Sequence, residues 1–258
     1  MHNPLVNTLK IMWLSLWAVI ATLVLFIPIT SAAIFSRTGN LAFTLSKLWA
    51  YTLLTVTNVR PHITGKEKIK KGQSYIIISN HQSEFDILAL VTTLGIQFRW
   101  IIKKELKKAP LFGYALYKSR NIFIDRSNTK DAIKSINEGI NRLPEGTSVM
   151  FFAEGTRSND GNIQPFKKGG FMIAVERGLP ILPVTINGSR RTLPKKSLVF
   201  SPGPIEVIVG EPVETSGYSQ ETIQELIDKT REIIISNYKI NYPDNESGRK
   251  TGLVSLAL

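Results

Sequence analysis

From Ile11 to Phe35 this chain carries no charged residue. At ~1.5 Å of rise per residue, such a stretch makes about 37 Å of helix, more than the ~30 Å hydrocarbon core of a bilayer. It must therefore be a membrane segment, a wholly buried helix or a cleaved leader. Thr30-Ser31-Ala32-Ala33 has the small residues of a cleavage site, but the apolar run is long for a leader and its start is weakly basic. Trp13 and Trp17 suit the headgroup layer, and Pro28 is a place for a kink. A turn at Arg37-Thr38-Gly39-Asn40 leads to a second apolar stretch, Leu41 to Val56, which Lys47 interrupts and which is short for a full span. The expectation is a membrane-associated helical hairpin over residues 1–58, spanning the bilayer or dipping in from one face. Arg60, Lys66, Lys68, Lys70 and Lys71 follow it. By the positive-inside tendency, they place the remainder on the cytoplasmic face of the membrane.

The net charge of +12 asks for an anionic partner: nucleic acid, acidic lipid or a phosphorylated substrate. The basic run Arg99, Lys103, Lys104, Lys107, Lys108, Lys118 and Arg120, against Glu105 alone, reads as a solvated face or as a surface drawn to acidic lipid. With no cysteine, the chain has no disulfide, no thiolate metal site and no cysteine nucleophile.

Beyond residue 59 the pattern alternates between strand and helix. Apolar runs at 74–79, 98–102, 122–124, 148–153, 181–186 and 205–209 read as strands. Helical spacing predicts helices over 83–93, 103–117 (broken near Pro110), 129–143, 171–177 and 219–238. Pro183 inside a strand needs an edge, a bulge or a strand start. The fold class is therefore α/β, a largely parallel twisted sheet flanked by helices, occupying residues 59–240 after the hairpin. Residues 241–258 read as a flexible tail. Ligands of such folds gather at the carboxyl ends of the strands, where each unusual polar cluster of this sequence falls.

The first cluster is Asn80-His81-Gln82-Ser83-Glu84-Phe85-Asp86. His81 and Asp86 are ~140° apart on an ideal helix and would not meet there. Ser83 as N-cap with Asp86 three residues on, a capping box, would instead fold Asp86 back toward His81. Two readings stay open locally. Either Asp86 only caps the helix, or it orients His81 as a base that takes a proton from a substrate hydroxyl. The second cluster is Glu154-Gly155-Thr156-Arg157-Ser158, in which Arg157 offers a fork for phosphate oxygens or pairs internally with Glu154. In Asp125-Arg126, the aspartate positions the arginine or the two form a plain surface pair. Pro165-Phe166-Lys167-Lys168-Gly169-Gly170 puts lysines at a helix start, suited to an anion, or is a basic turn.

In this order, the blocks resemble the membrane glycerolipid acyltransferase family, and within it the 1-acylglycerol-3-phosphate acyltransferases. Asn80, His81 and Asp86 match the first block and Phe123-Ile124-Asp125-Arg126 the second. Phe152-Ala153-Glu154-Gly155-Thr156-Arg157-Ser158 matches the third, with Ala153 where the family has proline, and Ile181-Leu182-Pro183-Val184 the fourth. The resemblance implies transfer of a fatty acyl group from an acyl-CoA or acyl carrier protein thioester to the 2-hydroxyl of lysophosphatidate, with no cofactor and no metal. It implies His81 as general base with Asp86 as its partner. Arg126, Glu154, Gly155, Thr156, Arg157 and Pro183 would belong to the substrate-binding blocks, and Lys167 joins them on its charge. The implied partners are membrane lipids, the lysophosphatidate acceptor and an anionic bilayer surface among them. Alternatives are another lysophospholipid or glycerol-3-phosphate as acceptor, or a membrane-bound lipid-binding protein without turnover. Nucleic acid is not an expected partner, because the apolar leader and the lack of a nucleic-acid motif speak against it.

Overall fold

The computed structural model describes residues 4–109, 112–125, 127–197 and 199–242. Two helices, α1 (Pro4–Phe35) and α2 (Asn40–Val56), precede a seven-stranded sheet. Its strands are β1 (Arg60–Thr64), β2 (Ile76–Ser79), β3 (Phe98–Lys103), β4 (Ile122–Ile124), β5 (Ser148–Phe152), β6 (Ile181–Asn187) and β7 (Pro204–Val209). They lie in the order β1-β7-β6-β2-β5-β3-β4, and every neighbouring pair is parallel except β6–β7. The connecting helices are α3 (Phe85–Thr93), α4 (Phe112–Lys118), α5 (Thr129–Ile140), α6 (Gly169–Arg177), α7 (Ser189–Thr192) and α8 (Ile223–Ser236).

The central strand shows why the sheet is covered on both faces. Ile76, Ile77 and Ile78 are all fully buried, as an unbroken apolar run requires. Ile77 points into one core with Phe43, Ala50, Leu53 and Leu54 of α2 and Leu88 and Leu90 of α3. Ile76 and Ile78 point into the other, with Phe171 and Ile173 of α6 and Leu226 and Ile234 of α8. The hairpin thus shares its core with the sheet, and α2 is one of the sheet's covering helices.

Several expectations need correction. β1 lies in a stretch whose sequence reads only as basic, because Arg-Pro-His-Ile-Thr has no apolar run. It is an edge strand held by β7 alone, alternating between exposed and half-buried positions. The helix expected over 103–117 with a break near Pro110 is two pieces, of which the first, Lys104–Lys108, is 3₁₀ and not α, and the second is α4. Pro183 sits in an interior strand, and of the three expected settings (an edge, a bulge or a strand start) its environment is a bulge. Gly210 donates to Pro183 O at 2.9 Å, while the next bridge joins Ile181 to Val213, leaving one extra residue on the β7 side. The missing N–H of Pro183 falls where that ladder is already broken. The tail expected at 241–258 lies outside the described residues from 243 onward.

Arg99 is the largest correction. It belongs to the basic run that reads as a solvated face or as a surface drawn to acidic lipid, but its side chain is fully buried. Nη1 donates to Phe98 O (2.9 Å) and Gln97 Oε1 (3.2 Å), and Nη2 to Thr38 O (3.0 Å) and Asn40 Oδ1 (2.7 Å). Its guanidinium also lies 5.5 Å from the centre of the Phe43 ring. Burial, with Arg120 nearby, pushes its pKa down to about 10. Four hydrogen bonds from a charged donor, at ~1.5–3 kcal/mol each, outweigh the several kcal/mol that burying one ion costs. The turn between α1 and α2 is thereby fastened to β3, so the hairpin lies along the sheet domain instead of standing away from it. Replacing Arg99 by Met leaves those oxygens without a donor and is expected to destabilise the protein by about 2–4 kcal/mol. Denaturant unfolding in detergent checks this, and an unchanged midpoint would show that the turn is held by packing alone.

Candidate active site

β2 ends at Ser79, and the side chain of the next residue, Asn80, continues the strand's pairing. Its Oδ1 accepts the Ile186 N–H (2.8 Å) and its Nδ2 donates to Ile186 O (2.9 Å). The main chain is thus free to turn away while β6 keeps its partner. The next residue, His81, is fixed on every side. Its N–H donates to Glu154 Oε1 (2.8 Å) and its carbonyl accepts the Ser158 N–H (2.9 Å). Its ring stacks on Phe152, with centroids 3.7 Å apart and planes 7° apart.

Asp86, fully buried, turns back across the start of α3. Its Oδ2 accepts the Nδ1–H of His81 (2.8 Å), the Gln82 N–H (2.7 Å) and the Ser83 N–H (2.9 Å). The carboxylate half of the expected capping box is therefore made. The serine half differs: Ser83 Oγ accepts from the Phe85 N–H (3.3 Å) and donates to Leu193 O (2.8 Å). The first turn is 3₁₀-like, with Asp86 N–H on Ser83 O (3.3 Å) and Ile87 N–H on Glu84 O (3.2 Å), so regular α-helix begins at Phe85. With Nδ1 engaged by Asp86, Nε2 is the imidazole nitrogen left for a substrate.

The loop after β5 lies against this one. Glu154 is buried and spends both oxygens on main-chain amides, those of His81 and Gln164 (2.8 Å each). Burial pushes its carboxyl upward, against the lowering pull of those two N–H groups. It braces the His81 loop and is not turned toward a ligand. Gly155 has φ +73°, and a Cβ there would lie 2.8 Å from Lys167 Nζ, so this turn needs glycine. Arg157 pairs with Glu84, not with Glu154 as the internal alternative had it, because Glu154 points inward. Lys195 Nζ donates to Arg157 O (2.6 Å) and Thr156 Oγ1 (3.2 Å). Sequence reasoning missed both Glu84 and Lys195. Glu84 sat among the unassigned positions of the first block, and no spacing signal reaches as far as Lys195. Asp125 accepts from Lys104 and Ser127, which hold its carboxyl well below the usual range. Arg126 lies outside the described residues.

A cavity of about 900 Å³ opens onto these loops, at the upper end of ~300–1,000 Å³ for ligand pockets. Its lining divides by chemistry. His81, Glu84, Thr156, Arg157 and Lys167 are polar, while Leu25, Phe26 and Ile29 of α1, Phe43 and Trp49 of α2 and Leu88 of α3 are apolar. The structure thus brings His81, Gly155, Thr156, Arg157 and Lys167 to one wall. Asp86 and Glu154 stand behind it, and Pro183 lies within β6 away from it. Such a cavity can hold an amphiphile with an anionic head and an apolar chain, its hydroxyl beside an oriented imidazole.

The chain matches the Acyltransferase family model over residues 60–187. It is 32% identical over 232 residues to an uncharacterized acyltransferase of Schizosaccharomyces pombe, covering 83% of each chain. It is also 32% identical to human 1-acyl-sn-glycerol-3-phosphate acyltransferase alpha, over 74% of this chain and 68% of that one. Among solved structures, it is similar to the 1-acyl-sn-glycerophosphate acyltransferase PlsC of Thermotoga maritima. The TM-score is 0.74 at 27% identity, covering 88% of this chain and 94% of that chain. With its histidine, its basic loop and its two-sided cavity placed on that shared fold, this chain belongs to the acyltransferase family that includes the 1-acyl-sn-glycerol-3-phosphate acyltransferases.

Proposed function

We propose that this protein transfers a fatty acyl group from an acyl-CoA or acyl carrier protein thioester to the 2-hydroxyl of lysophosphatidate, giving phosphatidate. The observation that carries this reading is the meeting, in one cavity, of an Asp86-oriented imidazole, a guanidinium and an apolar channel. His81 Nε2 takes the hydroxyl proton as the oxygen attacks the thioester carbonyl, forming the ester C–O bond. The C–S bond then breaks, and the imidazolium returns its proton to the departing thiolate. Asp86 Oδ2 keeps the imidazole in the tautomer this needs and supports its positive charge. Arg157 and Lys167 take the acceptor phosphate. The apolar side chains of α1, α2 and α3 take the acyl chains. Both substrates are bound side by side, so no acyl-enzyme is needed.

α1 supports membrane association. Among the described residues it is the one helix long and apolar enough to cross a bilayer, and Met12, Leu16, Val19, Leu23 and Ile27 are exposed along it. The hairpin turn lies on the domain and carries Arg37, while the chain after α2 carries Arg60 and Lys66. Cations at both ends favour a hairpin that dips into the cytoplasmic leaflet, with the α/β domain on that side.

Three outcomes are expected. His81→Ala lowers turnover by about 10²–10⁴ with folding and membrane binding kept. Near-normal turnover by the purified variant, in an assay of lysophosphatidate against lysophosphatidylcholine and glycerol-3-phosphate, would sink the mechanism. Arg157→Ala raises the acceptor KM, whereas Glu84→Gln, which frees Arg157 from its carboxylate, lowers it. If Glu84→Gln raised that KM as much as Arg157→Ala does, Glu84 would be a support for Arg157 and not a competitor of the phosphate. Finally, Leu16→Glu with Leu23→Glu on the exposed face of α1 shifts the protein from membranes to the soluble fraction. Deleting the whole hairpin is the wrong test, because it removes Leu53 and Leu54 from the core. Unchanged pelleting would show that the basic surface carries the attachment.

A further inference from the structure

A second depression, of about 270 Å³, lies between the end of α1, the α4–β4 turn and the end of α5. Among the described residues, Arg37, Lys118, Arg120 and Arg142 line it and no carboxylate does. Among the described residues, none of the four forms an ion pair. Arg142 Nε donates to Glu138 O (3.1 Å), and Lys118 Nζ lies 5.5 Å from the centre of the Tyr114 ring. Arg120 is also held at φ +65°, a left-handed conformation that few non-glycine residues adopt.

Helix ends explain part of this charge. α1, α4 and α5 all finish here, and each carboxyl terminus presents roughly half a negative charge, about −1.5 together. Four cations exceed that by roughly +2.5, so the depression remains strongly positive. Its rim is apolar. Ala33, Ile34 and Tyr117 also line it, and Ile34 and Tyr117 are about half exposed. Ile34 and Phe35 end the uncharged run of α1, whose outer face is apolar for most of its length. A ligand fitting both parts has an anionic phosphate in the depression and hydrocarbon along α1.

We propose that this depression binds the headgroup of an anionic phospholipid of the bilayer, at a site separate from the acyl-transfer cavity. The His81 end of that cavity and the depression sit at opposite ends of β4. Arg120 precedes that strand, while the loop holding Asp125 follows it at the same end of the sheet as His81. Asn121 lies between them and lines both cavities. Its Oδ1 accepts the Trp100 N–H (3.0 Å) and its Nδ2 donates to Leu116 O (3.0 Å). A lipid held here fixes the height and rotation of the domain on the membrane.

The test is vesicle flotation without acyl donor or acceptor, using phosphatidylcholine vesicles with and without phosphatidylglycerol, which is neither substrate nor product of the proposed reaction. The exposed pair Arg120→Gln with Arg142→Gln is compared with Lys134→Gln plus Lys229→Gln, an equal charge change on exposed sites of α5 and α8. The first pair is expected to lose about tenfold or more in affinity for the anionic vesicles, and the second under about threefold. Activity in neutral detergent micelles stays at the wild-type level for both. Equal losses from both pairs, or none from either, would overturn the proposal. Release of the wild type by low-millimolar inorganic phosphate at constant ionic strength would assign the site to free phosphate and overturn the lipid. Binding is read without turnover, so a failure here is distinguishable from a failure of the acyl-transfer reading.

Discussion

One oxygen organises the candidate site. Asp86 Oδ2 accepts the Nδ1–H of His81 and the main-chain amides of Gln82 and Ser83, all within 2.9 Å. Those three donors come from consecutive residues, so the carboxylate bends the chain at the end of β2 into a tight loop and starts α3 from it. The same act aims the imidazole. A helix cap and a carboxylate that orients an imidazole are usually separate assignments, but here one geometry does both. Removing the carboxylate would release the loop together with the tautomer.

The loop is also held from outside. Asn80 substitutes its side-chain amide for strand pairing to β6, and Glu154 receives the His81 N–H. Phe152 lies flat under the imidazole. His81 is thus confined by three strands, β2, β5 and β6, that are adjacent at the centre of the sheet. Burying Glu154 is unfavourable for its charged form and pushes its carboxyl pKa upward. Two charge-assisted hydrogen bonds offset it and join the loops after β2 and β5 into one rigid wall. On the other side of the cavity, the hairpin is an integral layer of the fold, fastened by Arg99 at its turn and by Leu53 and Leu54 at its end.

Much of this was legible in the sequence. The apolar runs located six of the seven strands, and the charge-free amino-terminus located the hairpin. The fold-back of Asp86 could be read because a capping box is local, spanning four residues. Other features were illegible for the opposite reason. The burial of Arg99 depends on Thr38 and Asn40, about sixty positions away. The partner of Arg157 is Glu84, from a different loop. β1 lacks an apolar run because an edge strand covered on one side needs none. The motif Glu154-Gly155-Thr156-Arg157 suggested four ligand-facing residues, whereas the backbone turns Glu154 inward and leaves Gly155, Thr156 and Arg157 on the cavity wall.

The central claim is that His81 activates the lipid's own hydroxyl, with no protein nucleophile. The most direct measurement follows free thiol and protein-bound acyl label together, after mixing the purified protein with labelled acyl-CoA or acyl carrier protein, with and without lysophosphatidate. The account predicts no labelled protein, little thiol without the acceptor, and thiol equal to phosphatidate once it is added. A burst of thiol without acceptor, matched by acyl label on the protein, would contradict it.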